Sequence, residues 1–122
     1  MSAKILVVDD SALVRKVVNT FLEGEGYELV MASDSAKVID LIEEINPDLV
    51  ISDIMMPNMD GYTFLRHIRK TKSRESLPMI MMSTKKREAM EDLFTTYGIS
   101  GYLEKPFEKD ALVTLIQEVL EG

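Results

Sequence analysis

The sequence predicts an α/β fold in which five parallel strands alternate with five helices that lie on both faces of a single sheet. Three observations lead there. Short apolar runs that do not alternate with polar residues, of which Lys4-Ile-Leu-Val-Val-Asp9 is the first, read as strands buried on both faces. Between them come segments whose apolar residues recur at helical spacing. The chain has 122 residues, 46% of them hydrophobic, which suits one core and one domain over residues 1–122.

Each element can be justified in order. After the first strand, a helix begins at Ser11 with Val14, Val17, Val18, Phe21 and Leu22 on one stripe. Asp10 is placed to cap it, and Gly24 to Gly26 stop it. Glu28 to Ala32 is the second strand. Asp34 to Ile45 is the second helix, with Val38, Leu41, Ile42 and Ile45 inward and Asn46-Pro47 as the breaker. Asp48 to Asp53 is the third strand, Pro57 to Gly61 a loop, and Tyr62 to Lys70 the third helix. Pro78 leads into the fourth strand, Met79 to Ser83. Lys86 to Tyr97 reads as a helix, Gly101 to Glu104 as a short fifth strand, and Lys109 to Leu120 as the closing helix. No linker or low-complexity stretch interrupts this series.

The charge balance narrows the function classes. A formal net charge of -7 and a pI near 4.7 oppose broad attraction to phosphate backbones or anionic lipid, so neither nucleic acid nor membrane is an expected partner. The absence of cysteine excludes disulfides, thiolate catalysis and cysteine-ligated metals. The apolar run Ile5 to Val8 is too short for a signal peptide or a membrane span, and the cytoplasm is the default location.

Ligands of open parallel sheets bind beyond the carboxyl ends of the strands, where strand order reverses. Asp9 and Asp10 close the first strand, Asp53 the third, Ser83 the fourth, and Lys105 follows the fifth. In a sheet ordered 2-1-3-4-5, the first and third strands are neighbours, and three carboxylates crowd one pocket. At roughly 5 Å and an effective dielectric of 20, each close pair repels by on the order of 3 kcal/mol. Few, hard, partly hydrated oxygen ligands suit Mg²⁺, and Lys105 adds a second cation able to meet phosphoryl oxygens.

These residues carry a resemblance: Asp9-Asp10, the segment Asp53-Ile-Met-Met-Pro57-Asn-Met-Asp60-Gly61, Ser83, and Ser100-Gly-Tyr102-Leu-Glu-Lys105-Pro106-Phe107. Together they resemble the response-regulator receiver domains of two-component signalling, most closely the single-domain chemotaxis (CheY-like) type, from Lys4 to the carboxyl terminus. The resemblance implies a flavodoxin-like (βα)5 fold with strand order 2-1-3-4-5. It implies that Asp53 is the phosphoacceptor and that Asp9, Asp10 and Asp53 hold Mg²⁺ with the Met55 backbone carbonyl. It further implies that Lys105 contacts the phosphoryl group, that Ser83 is the switch hydroxyl and Tyr102 the switch aromatic, and that Lys105-Pro106 is cis. Thr84 departs from the family, which commonly has a smaller residue there.

Plainer readings weigh against some of these residues taken singly. An acid at a strand end is often a helix cap, a Ser-Thr pair often a turn, and a tyrosine in a short strand often packing. Met79, Met81 and Met82 read as core filling, His67 as a surface or half-buried side chain, and Glu88, Glu91 and Asp92 as a solvated face. An aspartyl-phosphate hydrolase of the haloacid-dehalogenase type is the enzyme alternative, but it needs an acid two residues after its nucleophile, where Asp9 and Asp10 are followed by Ser11 and Ala12. A flavin binder needs a phosphate-cradling loop that Asp9-Asp10 would oppose. A degenerate receiver, binding partners without phosphorylation, is the nearest rival. The resulting expectation is a monomeric regulator, not a classical enzyme, that assists its own phosphorylation and dephosphorylation. Its partners are a sensor histidine kinase or phosphotransfer protein and a downstream protein bound through the Lys86 to Tyr97 helix, the Tyr102 strand and the closing helix. Because the sequence ends at Glu121-Gly122, output is expected in trans.

Overall fold

The computed structural model describes residues 2–55 and 60–122, so Pro57, Asn58 and Met59 of the expected loop lie outside the described residues. Its strands are β1 (Lys4–Val8), β2 (Glu28–Ala32), β3 (Leu49–Asp53), β4 (Met79–Ser83) and β5 (Gly101–Glu104). Its helices are α1 (Ala12–Leu22), α2 (Ser35–Ile45), α3 (Gly61–Arg69), α4 (Glu91–Thr95) and α5 (Lys109–Glu121). All neighbouring strands pair in parallel, in the order β2-β1-β3-β4-β5 that the resemblance implied.

The unbroken apolar runs are explained by two cores, one on each face of the sheet. Alternate residues of a strand point to opposite faces. Leu6 and Val8 therefore join Val38, Ile42, Phe64, Leu65, Ile68 and Leu93 under α2, α3 and α4. Ile5 and Val7 join Val18, Leu22, Leu112 and Ile116 under α1 and α5. Met79 and Met81 fill the first core and Met82 the second, as core-filling methionines should. His67 is exposed. Among the described residues no helix is long and apolar enough to cross a membrane.

Three readings of the sequence need correction. Ser11, not Asp10, caps α1: its Oγ accepts from the Val14 N–H at 3.2 Å, leaving the Asp10 carboxylate exposed beside the sheet end. Leu41 is not inward. Val38 and Ile42, with Ile45 half-buried, complete the inner stripe of α2, and Leu41 falls at its margin, 46% exposed. The long helix from Lys86 to Tyr97 is instead a 3-10 turn, Arg87–Met90, followed by the five-residue α4. Lys85, Lys86 and Arg87 put cations where a helix N-terminus favours anions, and no side chain caps that end. Arg87 is engaged elsewhere, its backbone N–H donating to Glu104 Oε1 at 2.8 Å and its guanidinium 4.3 Å from the Phe94 ring centroid. Gly98, at φ +65°, supplies the left-handed turn beyond the other end.

One side chain ties these connections together. Arg69, the last residue of α3, donates to the carbonyls of Lys72, Ser73 and Leu77 in the α3–β4 connection and to those of Tyr97 and Gly98 before β5. Burial holds its pKa below the usual arginine value, yet the five carbonyl acceptors give the charge partners. Removing the guanidinium would strand several of these carbonyls. Arg69→Ala should lose on the order of 2–3 kcal/mol in urea unfolding, against about 0.5 kcal/mol or less for the exposed neighbour Arg74→Ala. Equal midpoints for the two variants would reject this role.

Candidate metal and phosphoacceptor site

The sheet order decides what meets at its carboxyl edge. Because β1 and β3 are neighbours, with Val8 opposite Ser52, the residues that follow both converge. Oxygens of Asp9, Asp10 and Asp53 lie within 4.8 Å of one another. Asp9 is wholly buried and the Asp53 side chain is 8% exposed, whereas Asp10 faces solvent. α3 is brought against this edge by Gly61. A Cβ there would stand 2.5 Å from the Ile54 Cα and 2.7 Å from the Asp53 carbonyl, so only glycine permits the approach. The Asp60 carboxylate caps the same helix by accepting from the Thr63 N–H at 2.9 Å.

Lys105 reaches the acids from the far side. Its Nζ lies 2.9 Å from Asp9 Oδ2 and 3.1 Å from Asp53 Oδ1, a bridge between two carboxylates that would otherwise only repel. The Lys105 backbone N–H donates to the Ser83 carbonyl at 2.7 Å, and the Lys105-Pro106 bond is cis, as the resemblance implied. Burial alone would depress the lysine pKa, but the hydrogen bond and charge of Asp9, with those of Asp53, outweigh it and hold the pKa above the ordinary value. The ammonium is thus fixed as a cation at neutral pH. For Asp53 the balance goes the other way. Burial, reinforced by the charge of Asp9, raises its pKa despite opposing contributions from Lys105 and a backbone hydrogen bond from Met55.

The remaining residues line the rim. Ser83 is 3% exposed, and its Oγ accepts from the Lys85 N–H at 3.2 Å. Tyr102 is already turned inward, 9% exposed, with its hydroxyl donating to the Lys85 carbonyl at 2.5 Å. Burial raises the Tyr102 pKa, and a hydrogen bond with Ser83 opposes that rise. Thr84 is exposed, and the Met55 side chain is 65% exposed beside the mouth. Reading the sequence missed Ser11, whose N–H donates to Asp9 Oδ1 at 2.9 Å. It also missed Arg15, whose Nη1 donates to the Asp9 carbonyl at 2.5 Å.

The donor set suits a hard divalent cation. Three carboxylates meet one ammonium, so two negative charges have no cation against them among the described residues. All the side-chain donors are oxygens, and exposed Asp10 leaves an open, hydrated approach.

An acidic, lysine-bridged cluster thus stands at the switch point of a 2-1-3-4-5 sheet. Comparison with known proteins gives the family to which this arrangement belongs. The family model "Response regulator receiver domain" matches residues 5–117. The response regulator Rre1 of Synechocystis is 36% identical over 119 residues, covering 95% of this chain and 51% of that protein. The chemotaxis response regulator CheY4 of Vibrio cholerae superposes with a TM-score of 0.88 at 31% identity, covering 98% of this chain and 99% of that one. A CheY-like receiver domain protein of Methanospirillum hungatei gives a TM-score of 0.87 at 27% identity, covering 99% of this chain and 95% of that one. The chain belongs to the response regulator receiver domain family of two-component systems. Members of that family are phosphoacceptors that bind Mg²⁺ in an acidic site and meet histidine kinases and phosphotransfer proteins. The chain spans about half the length of the curated relatives it matches.

The raised Asp53 pKa has a consequence for stability. A carboxyl whose folded pKa exceeds its unfolded value of 3.8 stabilises the fold fully below that value and loses the contribution as pH rises through the folded pKa. In metal-free buffer, thermal unfolding of Asp53→Asn should therefore occur at higher temperature than that of the unsubstituted chain at pH 7, with the difference shrinking as pH falls below the ordinary aspartate range. Coincident melting at pH 7 would contradict the burial of an ionised Asp53.

Proposed function

We propose that Asp53 accepts a phosphoryl group and that residues 1–122 form one receiver domain around it. The observation that carries the reading is the Asp53 carboxylate, nearly buried at the sheet edge, with the Lys105 ammonium 3.1 Å from its Oδ1 and two further acids beside it. One carboxylate oxygen attacks the phosphorus of an acyl phosphate or a phosphohistidine in line. A P–O bond to Asp53 forms as the bond to the carboxylate or imidazole leaving group breaks. Ionised Asp53 needs no general base. Lys105 meets the developing charge on the phosphoryl oxygens, and catalysis is positioning plus electrostatic stabilisation. Asp9, Asp10 and Asp53, with the Met55 carbonyl, would hold Mg²⁺, which supplies further neutralisation of phosphoryl charge when bound.

Readout follows from what borders the site. A phosphoryl group on Asp53 adds acceptor oxygens that Ser83 can meet by leaving its bond from the Lys85 N–H. That movement frees the connection to α4, whose N-terminal turn has no side-chain cap, and alters the hydrogen bond between Ser83 and Tyr102. The face formed by residues 86–97, Tyr102 and α5 is the proposed protein-binding surface. Glu88, Glu91, Asp92, Glu104 and Glu108 are exposed there, so a basic partner fits it, with affinity that weakens as salt rises. One charged hydrogen bond gained on phosphorylation contributes about 1.5–3 kcal/mol, a roughly tenfold to hundredfold bias between states.

Acetyl phosphate with Mg²⁺ should label Asp53 alone by peptide mass spectrometry, and Asp53→Asn should take no label. Labelling that persists in Asp53→Asn would remove the phosphoacceptor assignment. Beryllofluoride, as the phosphoryl mimic, should change amide exchange across residues 84–104, and Ser83→Ala should suppress that change. An identical response in Ser83→Ala would remove the switch mechanism while leaving phosphorylation intact.

A further inference from the structure

Arg15 is out of place by ordinary helix electrostatics. It stands at the fourth position of α1, where the helix N-terminus favours anions, and Lys16 follows it. The first turn of α1 holds no acid. The half-buried Arg15 side chain turns back toward the sheet, and its Nη1 donates to the Asp9 carbonyl, six residues earlier. That bond completes the immobilisation of Asp9. Its N–H donates to the Ala32 carbonyl at 3.0 Å, its Oδ1 accepts from Ser11, and its Oδ2 accepts from Lys105. Asp10, the next residue, is exposed, and no hydrogen bond or ion pair of its carboxylate is present among the described residues. Its place in the acidic cluster is therefore set by the backbone of the turn that carries it, and Arg15 grips that turn at its first carbonyl.

We propose that Arg15 is a positioning residue for the divalent-cation site, holding the Asp9-Asp10 turn so that the Asp10 carboxylate is presented to the cation. The inference rests on reading Asp9, Asp10 and Asp53 as a Mg²⁺ site, and it adds a residue outside the ligand set. Two physical effects of Arg15 on the cation have opposite sign. Its positive charge, held at the Asp9 backbone carbonyl and not paired with a carboxylate, opposes Mg²⁺ binding from farther off, so charge alone predicts that Arg15→Ala binds Mg²⁺ as tightly or more tightly. Its grip on the turn assists binding, so positioning predicts that Arg15→Ala binds more weakly, by roughly tenfold or more as for other groups that orient ligands from outside the first shell.

The experiment is calorimetric titration with Mg²⁺ alone of the unsubstituted chain, Arg15→Ala, Arg15→Lys and Lys16→Ala, with amide exchange of Asp10 and Ser11 measured in metal-free buffer. The expected result is weakened binding and faster exchange in Arg15→Ala, partial recovery of both in Arg15→Lys, and unchanged or tighter binding in Lys16→Ala, which removes a neighbouring exposed charge. Affinity in Arg15→Ala equal to or above that of the unsubstituted chain would overturn the proposal. If Arg15→Ala does not fold, Arg15→Lys decides: affinity and exchange identical to the unsubstituted chain would overturn it, because a lysine keeps the charge but not the guanidinium geometry. Absence of any Mg²⁺ titration in the unsubstituted chain would instead overturn the reading of the acidic cluster itself.

Discussion

The Lys105 ammonium holds together a sheet edge that its own acids would drive apart. Two carboxylates about 5 Å apart repel by on the order of 3 kcal/mol at an effective dielectric of 20, a sizeable fraction of the stability of a small domain. Asp9 and Asp53 are nevertheless both taken nearly out of water, and Lys105 Nζ stands within 3.1 Å of each. The bridge depends on the fold at long range. Lys105 lies 96 residues from Asp9 in sequence and reaches it only because β5 extends the sheet beyond β4, with the Lys105 N–H continuing the pairing to the Ser83 carbonyl.

From this balance the rest of the site follows in sequence. The lysine offsets only part of the negative charge, so the pocket retains a demand for cations that a divalent metal can meet and that a phosphoryl group, arriving at Asp53, would otherwise increase. The same strand pair that supplies Lys105 supplies Ser83 and Tyr102, so charge at Asp53 and the hydrogen bonds entering α4 are separated by one turn of chain. α4 is the shortest of the five helices and has no side-chain cap at its start, while Arg69 fastens the chain beyond its end. The group that would change state therefore lies next to a helix with few local bonds to hold its start, where a small bias can be converted into a surface change.

Much of this was legible in the sequence, for physical reasons that differ between elements. The inner strands β1, β3 and β4 are visible because they are buried on both faces, so their apolar runs are uninterrupted and end abruptly at polar residues. The edge strands β2, half-buried, and β5 are marked by the turn residues around them; Met79 to Ser83 and Gly101 to Glu104 have the expected bounds. The 3-10 turn and short α4 were not visible, because a periodic apolar pattern says nothing of three successive cations at a helix start. Asp10 and Ser11 are both competent caps, and only tertiary structure chooses between them. The convergence of Asp9, Asp10 and Asp53 required the strand order, which came from the family resemblance and not from spacing. Arg15 left no signature at all, since its partner is a backbone carbonyl that every residue possesses.

The central claim is that Lys105 and a divalent cation answer the same electrostatic demand, and it is tested most directly by the Mg²⁺-induced rise in melting temperature of the unsubstituted chain and of Lys105→Met. Loss of the ammonium leaves Asp9 and Asp53 buried without their shared counter-ion, a type of change that typically costs about 3–5 kcal/mol. The account predicts that Lys105→Met melts well below the unsubstituted chain in chelator and recovers more of its melting temperature on adding Mg²⁺ than the unsubstituted chain gains. Equal melting temperatures in chelator, with equal rises on adding Mg²⁺, would contradict it.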